Sequence, residues 1–487
     1  MLAGHQDVVL VDPVQCIQGP DYLRIRLGTG TSGTSLALRD PLGLEYVASY
    51  LESKGYSTKV MVQGELSDEE LVSSILKFEP KYVGFECLSY NVPRLLAIVQ
   101  EIKRRNSMVK VVVGGYHATG DGNIVSEEGV DFAIMGEGEG IFVDLIEQLE
   151  NGGNFRDIKG VAFKDNGSVL INPPRRERLE FASFPWPKRE KEIMNWSRIS
   201  GLTYPAAPDQ VAAVQVLYSR GCPFNCYFCP SGFLWRNQIS YRPPSDLVSE
   251  LFDLNAKFGT NYVYFADLIF NLIDERVRDL CEEMIRRRPP VRWNAMLRVG
   301  TKPETFDLMK EAGCSRVAIG VELLDDPLLK QVKGPRQNLD MIRKDFDHAD
   351  SIGLINRSFL LMGFPWEKKE YYQTMLEILL TLPIDNIRLA FVVPFVGTDY
   401  HQQWSQHMVD KNPEHLTGEW PLFAPDGLSS EEQVKLRTWM VRSFYTSKEY
   451  TERVRRKVKR FPYLKRAFQY FFTDQLIPSG LATTSPV

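Results

Sequence analysis

Three cysteines fall within eight residues, in Arg220-Gly-Cys222-Pro-Phe-Asn-Cys226-Tyr-Phe-Cys229-Pro, and nothing else in the chain restricts its fold and chemistry as tightly. The spacing C-x3-C-x2-C puts three thiolates on one short loop. Soft thiolate is the ligand iron–sulfur clusters take, and this set holds three corners of a cubane cluster. Such clusters ordinarily use four cysteines, whereas here the next one is Cys281. One iron therefore lacks a protein ligand and is open to a small molecule. A structural zinc site needs four ligands, and neither His nor Cys follows within a short span. A disulfide framework fits less well: seven cysteines in 487 residues are an odd, sparse set that points to a reducing compartment.

The chain is too long for one ordinary domain, and roughly three are expected. With 44% hydrophobic and 25% charged residues it can bury a sizeable core, and its net charge of −4 gives no ground for a nucleic-acid partner. Apolar runs reach strand length only, well short of the ~20 residues of a membrane span, so no membrane contact is expected. The apolar stretch Val8–Val11 is too short for a cleavable leader, and a cytoplasmic location follows.

From residue 1 to 150, short apolar runs alternate with amphipathic stretches. Strands are expected at Val8–Val11, Ser57–Val62, Tyr82–Phe85, Lys110–Val113 and Phe132–Ile134, separated by helices. Buried strands between helices make an α/β, doubly wound, Rossmann-like parallel sheet. Ligands meet such a sheet beyond the carboxyl ends of its strands. Two glycine-rich turns lie there, Gly114-Gly115-Tyr-His117 and Gly136-Glu137-Gly138-Glu139-Gly140. Residues 151–205 read as a Pro-broken linker with a hairpin-like excursion over Val161–Asn172. From 206 to 400 the rhythm returns with six strand–helix units, the first strand running into the cysteine loop; a partial barrel would gather its functional side chains at the strands' carboxyl ends. Residues 401–487 are mainly helical, and the basic, aromatic stretch after Glu452 is expected to pack its rings on the core, with Pro462 splitting it.

Cys222, Cys226 and Cys229, with aromatic Phe228 before the last, resemble the signature of the radical S-adenosylmethionine (SAM) superfamily. The resemblance implies a partial (β/α)6 barrel and a [4Fe-4S] cluster whose open iron chelates SAM. One electron from the cluster then cleaves SAM to a 5′-deoxyadenosyl radical. It also implies an external one-electron reductant such as flavodoxin or ferredoxin. Phe228, Glu322, Gly363 and Pro365 are the SAM contacts this pattern implies; at the strands' carboxyl ends Arg298 is expected to pair with the SAM carboxylate and Asp267 to position substrate or the SAM amino group. Val393-Pro394-Phe395-Val-Gly397-Thr398 resembles the turn that ends this core in cobalamin-dependent relatives.

Residues 7–150 resemble the cobalamin-binding domain that precedes many radical SAM cores, with Gly114, Gly115, Gly136, Glu137 and Gly138 on the two turns that accommodate the cofactor's tail. The sequence departs from that family at one place. Many such domains carry Asp-x-His-x-x-Gly after the first strand, but here the segment is Asp12-Pro-Val-Gln-Cys16. Cobalamin is therefore expected in a histidine-off state, its lower face against Leu88, Ser89 and Tyr90. Losing a strong lower donor should ease departure of a methyl group from the upper face. The implied function is methylation of an unactivated carbon in a small-molecule intermediate. Ring contraction, cyclisation or oxidative rearrangement is the alternative within the family. A non-catalytic iron–sulfur sensor or electron carrier is the alternative outside it.

Overall fold

Runs of β-branched residues, closed on both faces by amphipathic helices, produce two parallel sheets, as described by a computed structural model covering residues 5–15, 40–64, 66–194 and 213–472 and a few positions beyond. The strands of the first sheet are β1 (Val8–Gln15), β2 (Thr58–Gly64), β3 (Tyr82–Glu86), β4 (Lys110–Gly114), β5 (Phe132–Ile134), β6 (Val161–Asp165) and β7 (Ser168–Ile171). Their order is β2-β1-β3-β4-β5-β6-β7, parallel through β5. The excursion expected in the linker is the hairpin β6–β7; it adds antiparallel to β5, so the sheet continues past residue 150. Each central strand is apolar on both faces: Val9, Val11, Val83, Phe85, Val111 and Val113 pack under one helix layer, and Val8, Leu10, Tyr82 and Val112 under the other. This is the pattern that makes a doubly wound sheet out of near-continuous hydrophobic strands.

The second sheet contains β8 (Ala213–Val216), β11 (Tyr262–Phe265), β12 (Arg292–Arg298), β13 (Cys314–Glu322), β14 (Ile355–Met362) and β15 (Asn386–Phe391), paired in parallel in the order β15-β14-β13-β12-β11-β8. It is the expected open six-stranded barrel. A short antiparallel hairpin, β9 (Ser219–Gly221) with β10 (Ile239–Tyr241), carries the cysteine loop at its tip. The C-terminal helices Ser430–Thr446 and Lys448–Arg460 share the barrel's core through Met440, Phe444, Tyr450 and Val454. The basic helix thus lies along the protein with Lys457 turned inward: its Nζ is 2.9 Å from Asp350 Oδ1 and pairs also with Asp385. Among the described residues no helix is long and apolar enough to cross a membrane.

Two contacts lock the sheets against each other. Gly120, ending the short helix Tyr116–Gly120, lies so close to the turn after β15 that a Cβ there would sit 2.2 Å from the carbonyl oxygen of Val396. Only glycine permits this approach; beside it the rings of Tyr116 and Phe395 meet at 5.2 Å. On the other side, buried Arg189 of the connector reaches Asp40 and Glu45 of the first domain at 2.5 Å each, and Glu250 of the barrel at 3.5 Å. It also donates to the carbonyl of Gln215 in β8 at 2.5 Å. Burial pushes the Glu45 carboxyl up to about 8, against the opposing charge of Arg189. Buried ion clusters of this kind are weak sources of stability and strong determinants of geometry.

Candidate cluster and cofactor site

The cysteine loop leaves β9 at Gly221 and is stapled by backbone bonds rather than by helix. Tyr227 N donates to the carbonyl of Val332 at 3.0 Å, Cys229 N to that of Cys226 at 3.0 Å, and Tyr400 N to that of Tyr227 at 3.3 Å. Cys222 is buried and Cys226 and Cys229 are half-buried. Burial raises the Cys222 thiol to about 11, with the neighbouring Cys229 and Cys226 charges adding to the shift; burial likewise raises Cys229. Thiols raised in this way need a cation to ionise against, which iron would supply. Among the described residues no fourth thiol approaches: Cys281 and Cys314 are buried in the barrel core and Cys87 in the first domain. The donor set is three thiols on one loop, the number that would leave one iron of a cubane cluster without a protein ligand.

The expected SAM contacts divide in two. Arg298, closing β12, stacks its guanidinium 4.0 Å from the centroid of Phe224 in the loop; its Nη1 is 3.7 Å from Cys226 Sγ, and its Nη2 donates to the carbonyl of Lys333 at 3.1 Å. Glu322, closing β13, stands at φ +72° where the β13–β14 register shifts. A left-handed conformation in a non-glycine residue marks a position held against its preference. Its Oε1 lies 3.4 Å from Lys333 Nζ, and its charge reaches Cys229. The Gly363–Pro365 turn follows β14, with Gly363 N donating to Glu367 Oε2 at 2.7 Å, and the ring of Phe364 meets that of Phe228 at 6.3 Å. These residues surround the loop.

Asp267 does not. Fully buried, it accepts from the backbone N–H of Tyr218 at 3.1 Å and from the N–H and hydroxyl of Ser219 at 2.5 Å each. Both carboxylate oxygens bond to the segment that feeds the loop, so Asp267 acts as a buried brace there. Burial lifts its carboxyl to about 6 despite those donors.

A cavity of about 490 Å³ opens between the two sheets. The carboxyl ends of the first sheet supply Glu86, Leu88, Tyr90, Gly114, Gly115, Gly136, Glu137 and Gly138; the barrel supplies Leu217, Ser219, Arg220, Gly221 and Trp235. Gly136 has φ +106°, and a Cβ there would meet no atom within 4 Å, only the open space. Backbone that turns left-handed beside empty volume is what close approach of a large ligand requires. Ser89, expected on this surface, is instead buried, with its hydroxyl 3.0 Å from His117 Nδ1. Residues 88–91 form a turn closed by the Asn91 N–H on the Leu88 carbonyl at 3.0 Å, and Leu88 and Tyr90 take the cavity side. Glu137 is held by a two-pronged bond from Arg178, Nε to Oε2 at 2.5 Å and Nη2 to Oε1 at 2.7 Å.

Several wall residues escaped the sequence reading. Tyr46, Glu139, Arg220 and Trp235 come from four separate elements; the signals were the place of Arg220 two residues before Cys222 and that of Glu139 in the second glycine-rich turn, while Tyr46 and Trp235 carried none.

Comparison with known proteins agrees with this division. The family model described as B12 binding domain matches residues 33–146, and that of the Radical SAM superfamily matches residues 216–379. An uncharacterized methyltransferase of Pyrococcus horikoshii is 28% identical over 445 residues, 88% of this chain and 91% of the relative. The cobalamin-dependent S-adenosylmethionine radical enzyme OxsB, with aqua-cobalamin and S-adenosylmethionine bound, superposes with a TM-score of 0.70 at 16% identity, covering 97% of this chain and 73% of its own. The radical S-adenosylmethionine methyltransferase TsrM of Kitasatospora setae, with cobalamin and a [4Fe-4S] cluster bound, gives a TM-score of 0.64 at 18% identity, covering 82% of this chain and 75% of its own. At such identities the two structures speak to fold alone, and the fold they share is the one built above from two sheets and a cysteine loop. The chain thus carries a domain matching the B12-binding model ahead of one matching the Radical SAM superfamily.

Proposed function

We propose that this enzyme transfers a methyl group from SAM, by way of cobalamin, to an unactivated carbon of a small-molecule intermediate. One observation carries the reading: the cavity walled by the glycine-rich turns of the first domain is also walled by Ser219, Arg220 and Gly221, the strand that runs into Cys222. Cofactors held by the two domains would thus face one shared space. When bound, the cluster supplies the electron that cleaves SAM, and cobalamin supplies the methyl carrier.

The chain's own contribution is placement and exclusion of water. Cys222, Cys226 and Cys229 would hold the cluster, with Arg298 and Glu322 presenting a cation and an anion to the polar ends of SAM. Phe228 and the Gly363–Pro365 turn would flank its adenine. Leu88 and Tyr90 would underlie the corrin, and the segment Asp12-Pro-Val-Gln-Cys16, without the histidine of Asp-x-His-x-x-Gly, supports histidine-off binding. A one-electron donor of the flavodoxin or ferredoxin class would reduce the cluster.

Anaerobic enzyme, reconstituted with iron, sulfide and cobalamin and supplied with SAM bearing a deuterated methyl group, tests this by mass spectrometry of candidate intermediates. A product carrying the labelled methyl group is expected, together with 5′-deoxyadenosine. Steady formation of 5′-deoxyadenosine with an unmethylated, rearranged product would overturn methyl transfer.

A further inference from the structure

One buried cation bridges the two halves of the site. Arg220 lies in β9, two residues before Cys222, and is only 8% exposed. Its guanidinium carbon is within 5.0 to 5.6 Å of four aromatic rings: Phe184, Tyr46, Trp235 and Phe181. Its counter-ions come from the other domain. Nη1 is 2.7 Å from Glu139 Oε1, and Nε is 3.9 Å from Glu137 Oε1, on the glycine-rich turn that walls the cavity. Glu139 is itself buried at 1% exposure. The contact is one of charge rather than directed bonding: Arg220 Nε and Nη1 and both Glu139 oxygens have no hydrogen-bond partner. Such a pair adds little stability over apolar side chains of the same volume, and its best-attested use is to fix one arrangement over another. Here the arrangement fixed is that of the cysteine loop relative to the corrinoid turn.

We infer that Arg220 is a positioning residue that couples the two cofactor sites, so that filling the cavity with cobalamin alters the cluster and assembling the cluster tightens cobalamin. This rests on reading the cavity as the cobalamin site. The route is short and physical. A ligand pressing on Gly136–Gly138 moves Glu137 and Glu139, these move the guanidinium, and the guanidinium is in the strand that ends at the first cluster ligand. Coupling between two binding sites is reciprocal, so the two effects share one factor.

The test uses the full chain, anaerobically, with the probe hydroxocobalamin. Its dissociation constant is read by absorbance titration with and without a reconstituted cluster, and the EPR spectrum of the reduced cluster is recorded with and without cobalamin. In the wild type, the cluster should tighten cobalamin about fivefold or more, and cobalamin should shift the cluster's g-values. Arg220→Met should retain iron and bind cobalamin with the factor reduced to near one and the EPR shift gone; Arg220→Lys, keeping the charge and losing the fork, should recover part of both. If Arg220→Met does not assemble a cluster, Glu139→Gln removes the other partner without touching the loop and should abolish the factor equally. A wild type that binds no cobalamin overturns the reading of the cavity. A wild type that binds it equally with and without the cluster, or variants that keep the full factor, overturns the coupling while leaving that reading intact.

Discussion

The two halves of the site are built from different materials. The cysteine loop is a side-chain site: three thiols, the Arg298 guanidinium and the Glu322 carboxylate converge on one loop stapled by backbone bonds. The cavity beside it is largely a backbone site, shaped by Gly114, Gly115, Gly136 and Gly138 where strands end, with apolar Leu88 and Tyr90 on the same wall. The difference follows from what each must hold. A cluster is bound by a few strong directional ligands, whereas a large cofactor is accommodated by room and shape. A side-chain site should therefore fail outright when one ligand is lost, and a backbone site should fail by degrees as space is filled.

Cys226→Ala is the sharpest way to break the comparison. It should abolish SAM cleavage and cluster assembly, seen as lost iron and lost 5′-deoxyadenosine, while cobalamin still binds, weakened only by the coupling that runs through Arg220. Persistent SAM cleavage in this variant would show that the loop is not the cluster's seat.

The next largest effect concerns the brace beneath the loop. The Asp267 carboxyl is raised from its ordinary 3.8 to about 6 by burial. The folded state therefore holds a proton that the unfolded chain has released between those values, and the stabilisation, complete below about pH 4, is lost as pH rises through about 6. Two units correspond to about 3 kcal/mol. Wild type should gain up to that much over Asp267→Asn as pH falls from about 7 to about 4, read by urea denaturation at several pH values. A constant difference across that range would show that Asp267 stays ionised and bonds as a carboxylate throughout.

The contrast in materials also explains what was readable in the sequence. Both sheets were legible because buried parallel strands leave runs such as Val8–Val11 and Val111–Val113 that few other structures use. The candidate cluster loop was legible because one short segment carries all three cysteines. Asp267 was misjudged because its position after β11 indicates the right end of the barrel but not whether its oxygens face the cleft or the neighbouring strand. The orientation of Ser89 was hidden for the same reason. Arg189, Asp40, Glu45 and Glu250 form one cluster from residues as much as 210 positions apart, and no local pattern encodes such a meeting. The hairpin β6–β7 looked like linker because β7 has no buried position and β6 buries only Val161, Ala162 and Phe163; it joins the sheet through pairing with β5.

The seam between the two halves can be strained separately. Gly120→Leu places a side chain where even a Cβ would be 2.2 Å from a carbonyl oxygen of the barrel. Overpacking of this kind costs about 1–3 kcal/mol. Because each sheet keeps its own core, the expected result is a lowered denaturation midpoint with earlier proteolysis in the Pro-rich connector, and unchanged iron content after reconstitution. Loss of iron would mean that the loop depends on domain docking for its shape.

Gly136→Val is the mildest change and tests the backbone half directly. At φ +106° any L side chain is strained, at a cost to the fold of about 1–3 kcal/mol, while a Cβ would touch nothing within 4 Å, so the added methyl groups should occupy the cavity. A loss of about 1.4 kcal/mol in cobalamin binding is a tenfold rise in the dissociation constant; that is the expected size, with iron content preserved and SAM cleavage unimpaired. Gly136→Ala separates the two causes. It carries the strain that any Cβ meets at this φ without the branched methyls, so an alanine variant that binds like wild type beside a weakened valine variant shows that the added branch, and not the loss of glycine, is what weakens binding. Equal weakening in both would assign the glycine to conformation instead, and the backbone would then be acting as a ligand-facing surface in its own right.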